Sequence, residues 1–78
     1  LALKAVVHLD TGAYASYGPA VGSLLTEMVP GSYRIPNVSV DTRVVYTHSP
    51  YSGAMRGFGS PQAHFATESL LDMLAGNV

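Results

Sequence analysis

The densest chemistry in the sequence lies in residues 53–62, GAMRGFGSPQ. Gly53, Gly57 and Gly59 leave the main chain bare, Arg56 supplies a fixed cation, and Phe58 supplies a ring. Glycine allows a ligand to approach the backbone closely, and N–H groups near a helix start attract anions. A guanidinium adds a planar fork of donors suited to anionic or oxo ligands. The same residues also describe a tight connection with a surface arginine, and spacing alone does not separate the two.

Other candidates are weaker. Arg56-Gly57-Phe58-Gly59 matches the opening of an RNA-recognition signature whose aromatics stack on bases. That signature continues along a strand, whereas Ser60-Pro61-Gln62 opens a helix here, and the chain has no basic surface. His64, Glu68 and Asp72 fall at i, i+4, i+8, a spacing shared by a metal face and by the polar side of an amphipathic helix. No fourth ligand joins them, so the polar side is the expected reading, and no metal ligand is assigned. His8 and His48 are expected to be packed or hydrogen-bonded on strands. His48 and Ser49 do not form a nucleophile–base pair, because adjacent residues on an extended chain point apart. Tyr14, Tyr17, Tyr33, Tyr46 and Tyr51 read as amphipathic packing residues.

The elements that must hold residues 53–62 follow from periodicity. Leu3, Ala5, Val7 and Leu9 alternate with Lys4, Val6, His8 and Asp10, a half-buried strand. Asp10-Thr11-Gly12 then bends, with Gly12 accepting a positive φ. Pro19 suits the first turn of a helix whose apolar stripe is Val21, Leu24, Leu25 and Met28, with Gly22 as a weak point and Pro30-Gly31 as its stop. Val38, Val40, Thr42, Val44 and Tyr46 alternate with Ser39, Asp41, Arg43, Val45 and Thr47 in the clearest strand. Residues 51–59 are loop. Ser60 is expected to cap the last helix, with Pro61 its first helical residue. Ala63, Ala66, Leu70, Met73 and Leu74 would be its buried stripe, and Gly76-Asn77 its end. The fold class is α+β, in the order strand, helix, strand, loop, helix.

The bulk numbers say that this set is incomplete. The chain has 78 residues, one small domain without internal boundary, yet only 12% are charged and 47% are hydrophobic. An ordinary soluble domain carries about 25% charged residues. Two strands and two helices do not readily enclose a core. Much of the surface is therefore expected to be covered, by other strands of a longer protein or by further copies. The net charge of -1 leaves no electrostatic footprint for nucleic acid or an anionic membrane. Without cysteine there is no thiolate nucleophile and no cysteine-ligated cluster in the chain. No apolar run reaches the ~18 residues of a membrane span.

Together these residues resemble the molybdenum hydroxylases, the xanthine dehydrogenase and aldehyde oxidoreductase family. GAMRGFGSPQ is similar to that family's glycine-rich AMRGFG-type turn between a strand and a helix that opens with Pro-Gln. Residues 3–14, LKAVVHLDTGAY, resemble its strand and Asp-x-Gly-Ala-Tyr-type turn. Residues 33–38, YRIPNV, resemble its Tyr-x-Ile-Pro-Asn segment, and residues 65–75, FATESLLDMLA, the helix after the loop.

The resemblance implies a piece of a much larger molybdenum-cofactor-binding domain, in a cytoplasmic enzyme. Such an enzyme inserts oxygen from water into a C–H bond of an aldehyde or N-heteroaromatic compound. It implies molybdopterin with molybdenum as cofactor, with 2Fe–2S clusters and FAD on other domains or subunits. The partners it implies are the remainder of the molybdenum subunit, those iron–sulfur and flavin parts, and a small-molecule substrate. By the same resemblance Ala54, Met55, Arg56 and Gly57 face the cofactor, with the Met55 and Arg56 amides beside the metal's oxo ligand, and Phe58 faces an aromatic substrate.

No catalytic residue is carried over. The family's general-base glutamate and the glutamine beside the oxo ligand belong to segments outside these residues, and Glu27 and Glu68 sit on helices away from the loop. The arginine that purine-oxidising members carry before YRIPN has no counterpart in LLTEMV, residues 24–29. The isolated chain is expected to be inactive. The alternative is a non-catalytic module that self-associates without cofactor.

Overall fold

The computed structural model describes residues 1–78. Its elements are β1 (Ala2–Asp10), α1 (Gly18–Met28), β2 (Asn37–Val45) and α2 (Ser60–Gly76), the mixed α+β content expected from the sequence. The two strands pair in parallel, in a register running from Ala2 opposite Asn37 to Asp10 opposite Val45. Neighbouring parallel strands need a long crossover, and α1 supplies it. Period two in β1 is realised residue by residue: Leu3, Ala5, Val7 and Leu9 are half-buried and their neighbours exposed.

β2 stops at Val45, short of the expected Tyr46 and Thr47. The reason is a slip of register. The Val45 carbonyl still accepts from the Thr11 N–H at 2.9 Å, as the ladder requires, but the Thr47 N–H then donates to the Gly12 carbonyl at 2.9 Å, one residue beyond its ladder acceptor Thr11. The turn after β1 thus captures the chain as it leaves the ladder.

Helix α1 lies on the inner face of the sheet. Val21, Leu25 and Val29 are buried, while Leu24 and Met28 are half-buried. Gly22, a weak point by propensity, lies hard against the sheet: a Cβ there would lie 2.7 Å from Val44 Cγ2. One turn on, the Thr26 and Thr42 hydroxyls are 2.6 Å apart. Because Thr26 donates its proton to the Gly22 carbonyl at 2.7 Å, Thr42 is the donor between them. Leu25, Val29 and Ala63 form the core, flanked by Leu3, Ala5, Val7, Met28 and Val40.

Helix α2 begins differently from expectation. Its cap is Gly59, at φ 93°, and Ser60 is already helical and makes no side-chain cap. Here the main chain turns against α1 so closely that a Cβ on Gly59 would sit 2.9 Å from Leu25 Cβ and 3.0 Å from the Val21 carbonyl oxygen. Only glycine fits, so the cap is made by backbone rather than hydroxyl.

The expected buried stripe is also corrected. Ala63 and Thr67 are buried, but Ala66, Leu70, Met73 and Leu74 are exposed, and Phe65 is 78% exposed. Only the first turns of α2 meet α1; further along, Leu71 is half-buried and Glu68 bonds to Tyr33, but most of the helix surface is uncovered. The five tyrosines, expected to pack, are all exposed, although Tyr17 meets Phe58 and Tyr33 bonds to Glu68.

Thr67 instead donates to the Val29 carbonyl at 2.6 Å, tying α2 to the end of α1. Replacing Thr67 by Val leaves that buried acceptor unpaired. A loss of about 1–2 kcal/mol is expected, read as a lower urea midpoint for the domain. No helix is long and apolar enough to cross a membrane.

Candidate functional site

Parallel strands deliver both of their carboxyl ends, and the starts of the helices that follow, to one end of the sheet. In open α/β arrangements that end is where ligands bind. Here it is built from the Asp10-Thr11-Gly12 turn after β1 and the long segment 46–59 after β2.

The two segments are stitched together. The Ala13 N–H donates to the Ser49 carbonyl at 3.1 Å, and the Ser52 N–H to the Thr11 carbonyl at 3.2 Å. The Thr11 hydroxyl donates to the Val45 carbonyl at 2.9 Å, and Thr11 is only 2% exposed. Asp10 Oδ1 accepts from the Gly12 N–H at 2.7 Å and from the Thr47 hydroxyl at 2.6 Å. Those two bonds, the Thr47 one foremost, hold the Asp10 carboxyl below its ordinary value, against a small opposing effect of burial.

Beyond Ser52 the chain breaks free. It then makes two successive turns, with the Phe58 N–H on the Met55 carbonyl and the Ser60 N–H on the Gly57 carbonyl, each at 2.9 Å. Gly57, Phe58 and Gly59 have φ of 95°, 50° and 93°. Phe58 is a bulky residue held in the left-handed region, a conformation found where surroundings over-determine it.

The N–H groups of Ala54, Met55, Arg56 and Gly57 have no acceptor within the chain, and all four residues are exposed. The Arg56 guanidinium is likewise unpaired; the one ion pair, Arg43 with Asp41 at 3.2 Å, lies on exposed β2 side chains. Phe58 is 39% exposed and packs edge-on against Tyr17, with ring centroids 6.3 Å apart and planes at 77°. No periodicity points to Tyr17, an aromatic in an irregular stretch brought to Phe58 only by the packing of α1 under the loop.

Other candidates do not join the donor set of residues 54–57. His8 and His48 are exposed rather than packed, and neither side chain hydrogen-bonds within the chain. Their segments have an uncovered outer side, so alternation among apolar residues did not mean burial. Glu68 accepts from the Tyr33 hydroxyl at 2.8 Å, which joins the 64, 68, 72 row to the YRIPN segment. That bond, then burial and the charges of Glu68 and Asp72, raises the Tyr33 phenol above its ordinary value.

What remains at the loop is a donor set with no acid in it: four free amides, a guanidinium and a ring. It suits an acceptor-rich, anionic group, and excludes nothing about the metal such a group carries.

The family model for the molybdopterin cofactor-binding domain matches residues 1–78. The nicotinate dehydrogenase large molybdopterin subunit of Eubacterium barkeri is 56% identical over 66 residues, 85% of this chain and 16% of that protein. The xanthine dehydrogenase molybdenum-binding subunit of Escherichia coli is 41% identical over 63 residues, 81% of this chain and 8% of its own length. The aldehyde oxidoreductase of Megalodesulfovibrio gigas is 36% identical, over 96% of this chain and 8% of its own. The chain thus spans less than a fifth of the length of these relatives. Since the family model covers every residue, loop and flanking elements alike, this chain belongs to the molybdopterin cofactor-binding domain of the molybdenum hydroxylases.

Proposed function

We propose that the chain forms one wall of the molybdenum-cofactor pocket in an oxidoreductase that hydroxylates aldehydes or N-heteroaromatic compounds with oxygen from water. The observation that carries this reading is the run of unpaired N–H groups at Ala54, Met55, Arg56 and Gly57, held at the carboxyl end of two parallel strands. Two of the relatives' names, nicotinate dehydrogenase and aldehyde oxidoreductase, support the substrate classes. α1 carries no arginine, which argues against purine as the substrate.

When bound, the cofactor supplies the redox chemistry and the site of oxygen transfer. This chain contributes positioning and electrostatics. The amides of Met55 and Arg56 donate to oxygen acceptors of the cofactor without reorganising, because the turns that hold them are already formed. The Arg56 fork adds a charge-assisted contact. Gly57 leaves the backbone open for approach. Phe58, fixed edge-on by Tyr17, offers its face to a flat substrate. The proton acceptor, the iron–sulfur clusters and the flavin belong to other parts of the parent enzyme, and the 78 residues alone are inactive.

In the complete molybdenum subunit, Phe58→Ala is expected to lower kcat/KM for an aromatic substrate roughly tenfold, the scale of a lost aromatic contact of about 1–1.5 kcal/mol. A small aliphatic aldehyde should lose much less. Equal losses for both would contradict stacking.

A second reading is favoured by the apolar outer face of α2, where Phe65 is 78% and Met73 67% exposed. Taken alone, the chain self-associates through that face and binds no cofactor. Sedimentation and metal analysis of the isolated chain test it: a metal-free oligomer is expected, and a monomer would refute self-association.

A further inference from the structure

We infer that Asp10 is a positioning residue for the cofactor loop, acting through the Asp10-Thr11-Gly12 turn without touching the cofactor. This role rests on the reading of residues 54–57 given above, and it adds a residue outside the loop to the machinery.

The geometry is specific. Between β2 and Ser52, the inter-segment bonds of the chain go to the turn: Thr47 to Gly12, Ser49 to Ala13, and the Ser52 N–H to Thr11. The Ser52 hydroxyl also donates to the Asp10 carbonyl at 2.5 Å. Past Ser52 no bond ties the chain down until the Met55–Phe58 turn. The start of the free-amide run is therefore set by wherever this turn holds Ser52.

The far end is set by Gly59 against Val21 and Leu25. Gly12 shows how close the near contact is. At φ 73°, a Cβ there would lie 2.3 Å from the Pro50 carbonyl oxygen and 2.6 Å from Tyr51 Cα. Gly18 leaves equally little room on the other side of the turn, where a Cβ would fall 2.2 Å from Thr11 Cγ2.

The carboxylate of Asp10 holds the turn from both sides. One oxygen, Oδ1, receives the Gly12 N–H from the turn itself and the Thr47 hydroxyl from the segment being docked. It thereby fixes the Gly12 conformation and brings Thr47 to within bonding distance of the Gly12 carbonyl. A neutral side chain of the same shape keeps an acceptor in place, and a methyl group keeps none.

The test uses the complete molybdenum subunit carrying Asp10→Ala, Asp10→Asn or Thr47→Val. Two quantities are read: amide hydrogen exchange in the cofactor-free protein, and molybdenum content after purification. In Asp10→Ala, exchange at Gly12, Thr47 and Ser52 should accelerate at least tenfold, while the amides of the β1–β2 ladder near Val6 keep their protection. Molybdenum content should fall severalfold. Asp10→Asn should recover most of both losses, and Thr47→Val should show the exchange effect in smaller measure.

Unchanged exchange at residues 47–52 in Asp10→Ala would overturn the anchor. Acceleration spread evenly over both strands would also overturn it, by reducing Asp10 to general stability. Local acceleration with full molybdenum content would overturn the link from anchor to cofactor. The loop's own role is judged separately, by Arg56→Ala, so failure of one reading is distinguishable from failure of the other.

Discussion

Gly57→Val in the complete molybdenum subunit is expected to empty the cofactor site almost entirely. Gly57 has φ 95°, a region that costs a side-chain-bearing residue about 1–2 kcal/mol or more. Space is the second obstacle: an added Cβ would lie 2.7 Å from Pro61 Cδ and 2.8 Å from Pro61 Cγ. A proline ring at a helix start has no rotamer to retreat into, and overpacking of this kind costs about 1–3 kcal/mol. Together these suffice to shift the loop out of its two-turn conformation by roughly a hundredfold or more. Metal analysis of the purified subunit should show molybdenum close to background. Gly53→Ala is the control, since a Cβ there meets nothing within 4 Å and its φ is ordinary. Its molybdenum content should match the unaltered protein. Full occupancy in Gly57→Val would show that the loop does not need its turn to hold the cofactor.

Arg56→Ala is the second large effect. It leaves the backbone untouched and removes only the exposed, unpaired guanidinium. A hydrogen bond to a charged group contributes about 1.5–3 kcal/mol, so cofactor retention during dialysis should weaken roughly 10- to 100-fold. Arg56→Lys keeps the charge and loses the planar fork, and should fall between the two. If Arg56→Ala retained cofactor as tightly as the unaltered protein, the guanidinium would be a solvent-facing charge and nothing more. Comparing Gly57→Val with Arg56→Ala separates loop shape from loop charge.

Tertiary context explains why the remaining expectations divided as they did. The alternation in β1 translates directly into half-burial, and of the expected stripe Val21, Leu24, Leu25 and Met28 the first and third are buried and the others half-buried, with Val29 buried beside them, because a strand and a helix place side chains at fixed periods. Gly22 and Gly59 had no such rule. Read along the chain, one is a flaw in a helix and the other a loop residue. In space, each is a point where α1 meets another segment with no room for a Cβ. Leu70 and Met73 carry a helical stripe that predicts a buried face, yet burial needs a second surface, and this chain leaves most of the second half of α2 exposed.

The sequence by itself determined the elements, their order and the chemistry of residues 54–58, since glycine, guanidinium and ring are local properties. It also carried the family, because GAMRGFGSPQ, YRIPNV and the flanking strand are linear patterns. Tertiary structure alone decided that β1 and β2 run parallel, and hence that the Asp10 turn and the loop share one end of the sheet. It alone brought Thr47 and Gly12 onto one carboxylate oxygen, 37 and 2 residues distant from Asp10 along the chain. The physical reason is that hydrogen bonds and close approaches between distant segments depend on register and packing, which no local periodicity records.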